Sequence, residues 1–328
     1  MIKHKRIGVL TSGGDSPGMN AAIRGVVRSG IHNGHDVIGI QKGYKGLVDK
    51  SYCQLSLNSV GGILMRGGTF LQTSRCPEFH NKETRKIAYE NYENLGLDAL
   101  VVIGGDGSLR ALHDLVEDFG VQGIGLPGTI DNDLYGTEFT IGFDTALNTA
   151  MGIIDKIKDT ASSHSRLFIV EVMGRNSGYI ALFTAIATGA EDVLIPEAIE
   201  DLKDVKGKIE KGWHRGKTNS LLIVAEGDQE GGAEEVRKKM IALAPEWDTR
   251  MSVIGHVQRG GSPTAIDRLL SSRLGHEAIQ AIDKGLTDKM IGLTVPDGHV
   301  IYTDLKDTWE KQKSVPQSWR DVADILSK

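Results

Sequence analysis

The chain has 328 residues, 40% hydrophobic and 25% charged, with 41 glycines, two cysteines and a formal net charge of −5. That size suits two domains of roughly 150 residues each, and the composition is that of a folded globular protein. The acidic balance excludes a dedicated nucleic-acid binder, and Cys53 and Cys76, without a CxxC pair, exclude a disulfide framework or a cysteine metal site.

In chain order, short runs rich in Val, Ile and Leu read as buried strands at 6–10, 36–40, 99–103, 123–126, 167–172, 192–195, 221–225, 251–254 and 290–293. Amphipathic stretches lie between them. In 143–162 the residues Phe143, Leu147, Ala150, Met151, Ile154 and Ile157 recur every three or four positions and predict one helix with a buried stripe. The alternation predicts an α/β protein with mainly parallel sheets. The opening run MIKHKRIGVLTSGG has no signal-peptide core, and no stretch approaches the ~18 apolar residues of a membrane span. A cytoplasmic enzyme with neither membrane nor nucleic acid as partner is expected.

Each glycine-rich loop follows a predicted strand, at the end where open α/β sheets bind ligands. These are TSGGDSPG (11–18), GGDGS (104–108), PGTIDND (127–133), MGRNSG (173–178) and HVQRGGS (256–262). In the first, Gly13 and Gly14 let backbone N–H groups approach an anion at a helix N-terminus, although an ordinary turn capped by Asp15 reads equally well. GGDGS is sharper: three glycines make a bare cradle, and Asp106 inside it would repel phosphate unless a cation lay between. The competing reading is Asp106 as a helix cap. PGTIDND sets Asp131 and Asp133 two residues apart after Thr129, so that one carboxylate can accept a proton while the other faces a metal. An Asx-rich turn is the bland alternative. Arg75, Arg166, Arg175, Arg250, His256 and Arg259 add cations, of which those inside glycine-bearing loops suit bidentate phosphate binding. No HExxH or GxSxG occurs, so zinc and serine-nucleophile chemistry have no support.

These loops, in this order, resemble the ATP-dependent 6-phosphofructokinases of bacterial type. The segments that carry the resemblance run from RIGVLTSGGDSPGMNAAIRGVVR through RGGTFLQTSR, VVIGGDGS, GLPGTIDND, EVMGR and VAEGD to GHVQRGGSP. It implies two Rossmann-like domains with the active site in the crevice between them. The ATP-binding domain would comprise 1–141 plus about 256–304, and the fructose 6-phosphate-binding domain 142–255 plus about 305–328. Gly14, Tyr44, Arg75, Cys76, Gly105, Asp106, Gly107 and Ser108 would bind ATP, with Mg²⁺ on Asp106 and Asp133. Asp131 would be the base for the sugar's 1-hydroxyl, and Thr129, Arg75 and Arg175 would steady the moving phosphoryl group. Ile130, Met173, Gly174, Glu226, His256, Val257 and Gln258 would line the sugar. Arg166, Arg250 and Arg259 would bind its 6-phosphate, Arg166 and Arg250 coming from a neighbouring subunit of a homotetramer.

Pyrophosphate-using relatives place an acid where this chain has Gly107 and a lysine where it has Gly128, so the resemblance favours ATP as donor. A pyrophosphate-dependent enzyme on the same scaffold is the runner-up, and a catalytically silent sugar-phosphate or nucleotide sensor is the alternative from another class. For the effectors ADP and phosphoenolpyruvate, Arg24, Arg28, Glu191, Arg215 and Lys217 match the family's site. Leu57, Gly61, Gly62 and Lys158 depart from it, which predicts weak or altered control. The tail 302–328 carries no readable motif; Trp309 and Trp319 are expected to pack on the second domain, with a helix near 321–327.

Overall fold

The computed structural model describes residues 3–161, 166–217, 219–294 and 298–327. The chain divides into two compact units, 1–130 with 134–145 and 259–312, and 131–133 with 146–258 and 313–328. It begins with β1 (Arg6–Thr11), α1 (Met19–His32), β2 (Asp36–Ile40), α2 (Gly43–Val48), β3 (Tyr52–Leu55), α3 (Lys82–Asn94), β4 (Ala99–Gly104), α4 (Asp106–Phe119) and β5 (Gly123–Pro127). Helix α5 (Phe143–Ala161) leads into the second unit, which continues with β6 (Arg166–Val172), α6 (Tyr179–Thr188), β7 (Asp192–Leu194), α7 (Leu202–His214), β8 (Asn219–Ala225), α8 (Gly232–Leu243) and β9 (Asp248–Val253). The chain then returns to the first unit for α9 (Ala265–Asp283), β10 (Lys289–Leu293), β11 (Val300–Asp304) and α10 (Asp307–Glu310), and ends with α11 (Gln317–Leu326) in the second.

The first unit is a seven-stranded sheet in the order β11-β10-β5-β4-β1-β2-β3, with parallel pairing from β10 to β2. Only its edges, β3 and β11, run antiparallel. Its central strands are apolar on both sides because both faces are covered. On one face Val9, Val101 and Leu126 meet Ile23 and Val27 of α1 and Leu274 and Ile279 of α9. On the other, Leu10, Leu100 and Val102 meet Leu109, Leu112 and Leu115 of α4. Each such fully buried side chain stabilises the fold by roughly 1.5–3 kcal/mol relative to exposure.

The second unit is a four-stranded sheet, β7-β8-β6-β9, parallel throughout. Leu167, Ile169, Leu222 and Val224 build its core with Val205 and Ile209 of α7 and Val236 and Met240 of α8.

All nine expected strands are present, and α5 realises the expected helix to Ala161, residue 162 lying outside the described residues. Two expectations about the tail need correction. Trp309 packs in the first unit, edge-on to His113 with ring centroids 5.5 Å apart and under the Arg110 guanidinium. Fully buried Leu305 belongs to the same core, so the second unit's tail begins at Lys313 rather than about 305. Trp319 does pack in the second unit, against Phe183.

Candidate active site

In the first unit, strand order reverses between β1 and β4: the chain leaves β1 for β2 on one side and later returns to β4 on the other. The loops after two such neighbouring strands diverge and leave an opening at the C-terminal edge of the sheet. The TSGGD loop follows β1, and GGDGS follows β4 as the first turn of α4. Both are tied down, since Ser12 donates its N–H to Ile103 O at 3.0 Å and Gly128 donates to Gly104 O at 2.9 Å. A Cβ on Gly104 would stand 2.6 Å from Ser108 Cβ and 2.7 Å from Ser12 O, so only glycine lets the loops approach this closely.

Asp106 opens α4, where free backbone N–H groups and the helix dipole favour anions. Its carboxylate accepts from Arg110 Nε at 2.6 Å, one turn on. Tyr44 is buried with its ring against Phe79, and its hydroxyl donates to Ser108 O at 2.6 Å. That hydroxyl shapes the loop, and burial pushes its pKa well above the usual tyrosine value. Arg75 and Gly14 are exposed, Cys76 is half-buried, and the Arg259 guanidinium lies 2.9 Å from where a Gly14 Cβ would be. Burial, with Glu78 beside it, pushes the Cys76 thiol up to about 11.

The loop after β5 carries Thr129, Ile130, Asp131 and Asp133. Thr129, Ile130 and Asp131 are buried, and Asp133 is half-buried. Asn132 adopts a left-handed φ of 54°, and its Oδ1 accepts Lys313 Nζ at 2.8 Å. The tail, silent in the sequence, thus fixes the turn between the two carboxylates.

In the second unit the loops after β8, β6 and β9 leave adjacent parallel strands at one edge. Met173 and Gly174 are buried and Arg175 is exposed with φ 55°. Arg175 donates its backbone N–H to Glu226 Oε1 at 2.8 Å, and Met173 donates its own to Gln258 Oε1 at 2.8 Å. His256 and Val257 are exposed, whereas Gln258 is fully buried.

The Phosphofructokinase family profile matches residues 6–282. The chain belongs to the phosphofructokinase family. The ATP-dependent 6-phosphofructokinase of Halothermothrix orenii is 47% identical over 332 residues, covering 98% of this chain and 99% of that relative. The enzyme of the same description from Staphylococcus aureus is 49% identical over 325 residues, with coverage of 98% and 99%. Among solved structures, phosphofructokinase from Saccharomyces cerevisiae superimposes with a TM-score of 0.86 at 38% identity. It covers 98% of this chain and 48% of its own, so the present chain spans about half the length of the yeast chain.

Not every residue expected of a phosphofructokinase site gathers at the loops. Arg166 starts β6, so a strand of six steps, about 20 Å, separates it from Met173 at the other end. There it donates through Nε to Asp248 at 2.6 Å, and the same carboxylate accepts Arg250 Nε at 2.9 Å. The Arg166 hydrogen bond leads in holding the Asp248 carboxyl below the usual carboxylate range. Both arginines therefore form a separate cluster within the chain.

Of the effector candidates, Arg24 is half-buried and Arg28 exposed on α1, in the first unit. In the second, Glu191 is buried and accepts Lys217 Nζ at 3.0 Å and Leu221 N at 2.5 Å; Lys158 donates to Thr188 O at 2.6 Å, and Arg215 is exposed. Leu57, Gly61 and Gly62 are all exposed.

Asp106 in the first unit and Asp133 in the second are half-buried carboxylates in loops bearing other oxygen donors, and each by itself has the ligand chemistry Mg²⁺ prefers. Among residues that motif reading passed over, Asn20 is the clearest. Buried on α1, it donates to Arg66 O and Gly67 O at 3.1 and 3.2 Å and accepts Phe70 N at 2.6 Å, pinning the segment that leads to Arg75. Its signal was a polar residue on the apolar face of an amphipathic helix.

No described helix is long and apolar enough to cross a membrane.

Proposed function

We propose that this chain transfers the γ-phosphoryl group of ATP to the 1-hydroxyl of fructose 6-phosphate, giving ADP and fructose 1,6-bisphosphate, a step of glycolysis. One observation carries the reading. The anion-receptive loops after β1 and β4 leave neighbouring strands, β4 pairs on its other side with β5, and the loop that leaves β5 carries Thr129 and the buried carboxylate of Asp131 (6% exposed).

In this reading Asp131 takes the proton of the attacking hydroxyl, and its burial keeps water from competing for it. Gly105–Ser108 backbone groups hold the nucleotide phosphates at the start of α4, and Arg75, Arg175 and Thr129 steady the group in transit. Asp106 and Asp133 hold Mg²⁺, which when bound offsets phosphate charge. The rest is positioning and charge balance, as phosphoryl transfer requires. His256 and Met173 contact the sugar, and Arg259 its phosphate.

The isolated Arg166–Asp248–Arg250 cluster supports a shared site, in which a second copy supplies those two arginines to the 6-phosphate. A homotetramer accounts for it. Exposed Met65, Ile266 and Leu269 offer apolar surface for the association. Effector control by ADP or phosphoenolpyruvate is weak in this reading. Leu57, Gly61 and Gly62 bring no charge, and Lys158 is spent on Thr188 O, each lost guanidinium–phosphate contact costing on the order of 1–3 kcal/mol. A strong response to both effectors in the same assay contradicts it.

The reading is tested by ADP release from ATP, Mg²⁺ and fructose 6-phosphate, beside Asp131→Ala and a parallel reaction with pyrophosphate. Turnover with ATP that the variant loses by about 10²–10⁴-fold is expected. Turnover with pyrophosphate alone overturns the donor, and none with either donor turns the reading to a ligand sensor.

A further inference from the structure

Of the consecutive residues His256, Val257 and Gln258, the first two face solvent, while Gln258 is turned inward and is 0% exposed. The 3₁₀ turn Gly255–Arg259 brings this about, starting from Gly255 at φ 61°. A residue sealed from solvent is poorly placed to touch a sugar. What Gln258 does touch is the next loop: its Oε1 accepts the backbone N–H of Met173 at 2.8 Å.

The other half of the amide is informative too. Gln258 Nε2 is buried and makes no hydrogen bond among the described residues. Burying an unsatisfied donor is destabilising, whereas an apolar side chain of the same length avoids that cost. An apolar residue here would remove that unsatisfied donor but leave the buried N–H of Met173 unpaired, so the two costs offset and the amide gives the fold little net stability. The amide's use is its acceptor oxygen, whose one partner among the described residues is the N–H of Met173.

The partner matters because of where it lies. Two residues on, Arg175 sits at a left-handed φ of 55°, unusual for a residue with a Cβ, and its N–H is held by Glu226 Oε1. Gln258 and Glu226 are thus two acceptors on alternate amides of one loop. Between them they set the path of Met173, Gly174 and Arg175.

We propose that Gln258 is a positioning residue for the acceptor side of the reaction, acting through the backbone of Met173 rather than by touching the sugar phosphate. This rests on the phosphofructokinase reading for its substrate, but the clamp itself does not. The consequence is a divided kinetic effect. Loss of the acceptor misplaces the sugar-binding loop of the second unit, while the ATP loops lie in the first.

The test compares Gln258→Met, which keeps length and removes the acceptor, with Gln258→Glu, which keeps the acceptor. Loss of one buried hydrogen bond should raise KM for fructose 6-phosphate about tenfold in Gln258→Met. KM for ATP should stay within about twofold and the unfolding midpoint should change little, because one unsatisfied buried donor replaces another, and Gln258→Glu should recover most of the loss. In parallel, hydrogen exchange at the Met173 amide is followed without ligand, where protection in the wild type and its loss in Gln258→Met are expected. An unchanged sugar-phosphate KM, an equal rise in both KM values, or a Met173 amide that exchanges like an open loop in the wild type overturns the proposal. If the wild type releases no ADP with fructose 6-phosphate, the functional reading fails and the exchange data alone decide the clamp. If Gln258→Met does not fold, wild-type exchange and the Gln258→Glu kinetics decide it.

Discussion

Glu226 Oε1 accepts the backbone N–H of Arg175 at 2.8 Å and so holds a non-glycine residue at φ 55°. The neighbouring Gly227 completes the grip, because a Cβ there would fall 1.8 Å from Arg175 O. No side chain fits that gap without moving backbone. Gly227→Ala is expected to displace the MGR loop and lower kcat/KM at least about a hundredfold, the scale of a ~1 Å misplacement at a reacting centre. Glu226→Gln keeps an acceptor for Arg175 and should retain the loop, while Glu226→Ala should not. Steady-state kinetics with circular dichroism as the folding control check this; equal kinetics for Gly227→Ala and wild type contradict it.

Donor choice can be tested at two glycines with different surroundings. A Cβ on Gly107 meets no heavy atom within 4 Å, and the position lies in the first turn of α4. Gly107→Asp should therefore fold normally, since an acid suits a helix N-terminus. It should raise KM for ATP about tenfold or more by placing like charge beside the phosphates. Gly128 is crowded: a Cβ would stand 3.0 Å from Gly104 N, 3.0 Å from Met19 Cε and 3.1 Å from Ile103 Cγ2. Gly128→Lys should cost about 1–3 kcal/mol in stability through overpacking. Thermal unfolding separates the two: a destabilised Gly107→Asp or a fully stable Gly128→Lys contradicts this account.

Much of this was legible in the sequence, for identifiable reasons. Central parallel strands are continuous apolar runs, so β1, β4 and β5 stood out, and a glycine-rich loop after each marked the edge at which open α/β sheets in general bind ligands. Strands β3 and β11 escaped because they are antiparallel edges with exposed residues such as Tyr52 and Tyr302 among buried ones, which leaves no such run. The separation of Arg166 from Met173 was in the sequence, since one precedes LFIVEV and the other follows it. The roles of Gln258, Asn20 and Lys313 were not. Each depends on a partner at least 46 residues away, and no local pattern reports which backbone group a side chain will meet.

Asp267 was equally hidden, and it predicts a pH dependence. It is wholly buried at the start of α9 and accepts Gly142 N at 2.8 Å, Thr145 N at 2.8 Å and Thr145 Oγ1 at 2.5 Å, fastening the first turn of α5. Burial outweighs these donors and pushes its carboxyl from the ordinary 3.8 up to about 6. A raised carboxyl means that the native state binds more protons than the unfolded state between those values. Its contribution to stability is therefore full at low pH and is lost as pH rises through about 6. The unfolding free energy of wild type minus that of Asp267→Asn should fall by about 2 kcal/mol from pH 4 to pH 7. Taking the difference removes other carboxylates, such as Asp118 and Asp248, whose depressed values act in the opposite sense. Denaturant melts at four pH values check it, and a difference that is flat or rises contradicts it.

The Arg166–Asp248–Arg250 cluster leads to a prediction that only a shared site satisfies. Arg166 stands a strand length from its own Met173, so within one chain its loss should leave the local loops intact. Arg166→Ala should nonetheless lower kcat/KM for fructose 6-phosphate about ten- to a hundredfold if a neighbouring copy uses it, because a charge-assisted phosphate contact is worth about 1.5–3 kcal/mol and Asp248 is left half-paired. Asp131→Ala should be inactive for a different reason, loss of the base that the proposed function assigns to it. When the two variants are co-expressed and assemble at random, a site is whole if its own chain keeps Asp131 and its neighbour keeps Arg166. Equal mixing makes that about one site in four. About a quarter of wild-type activity from two nearly inactive chains is expected, with none from mixing after assembly without exchange. If instead each chain used its own Arg166, no mixed assembly would contain a whole site, and co-expression would recover nothing.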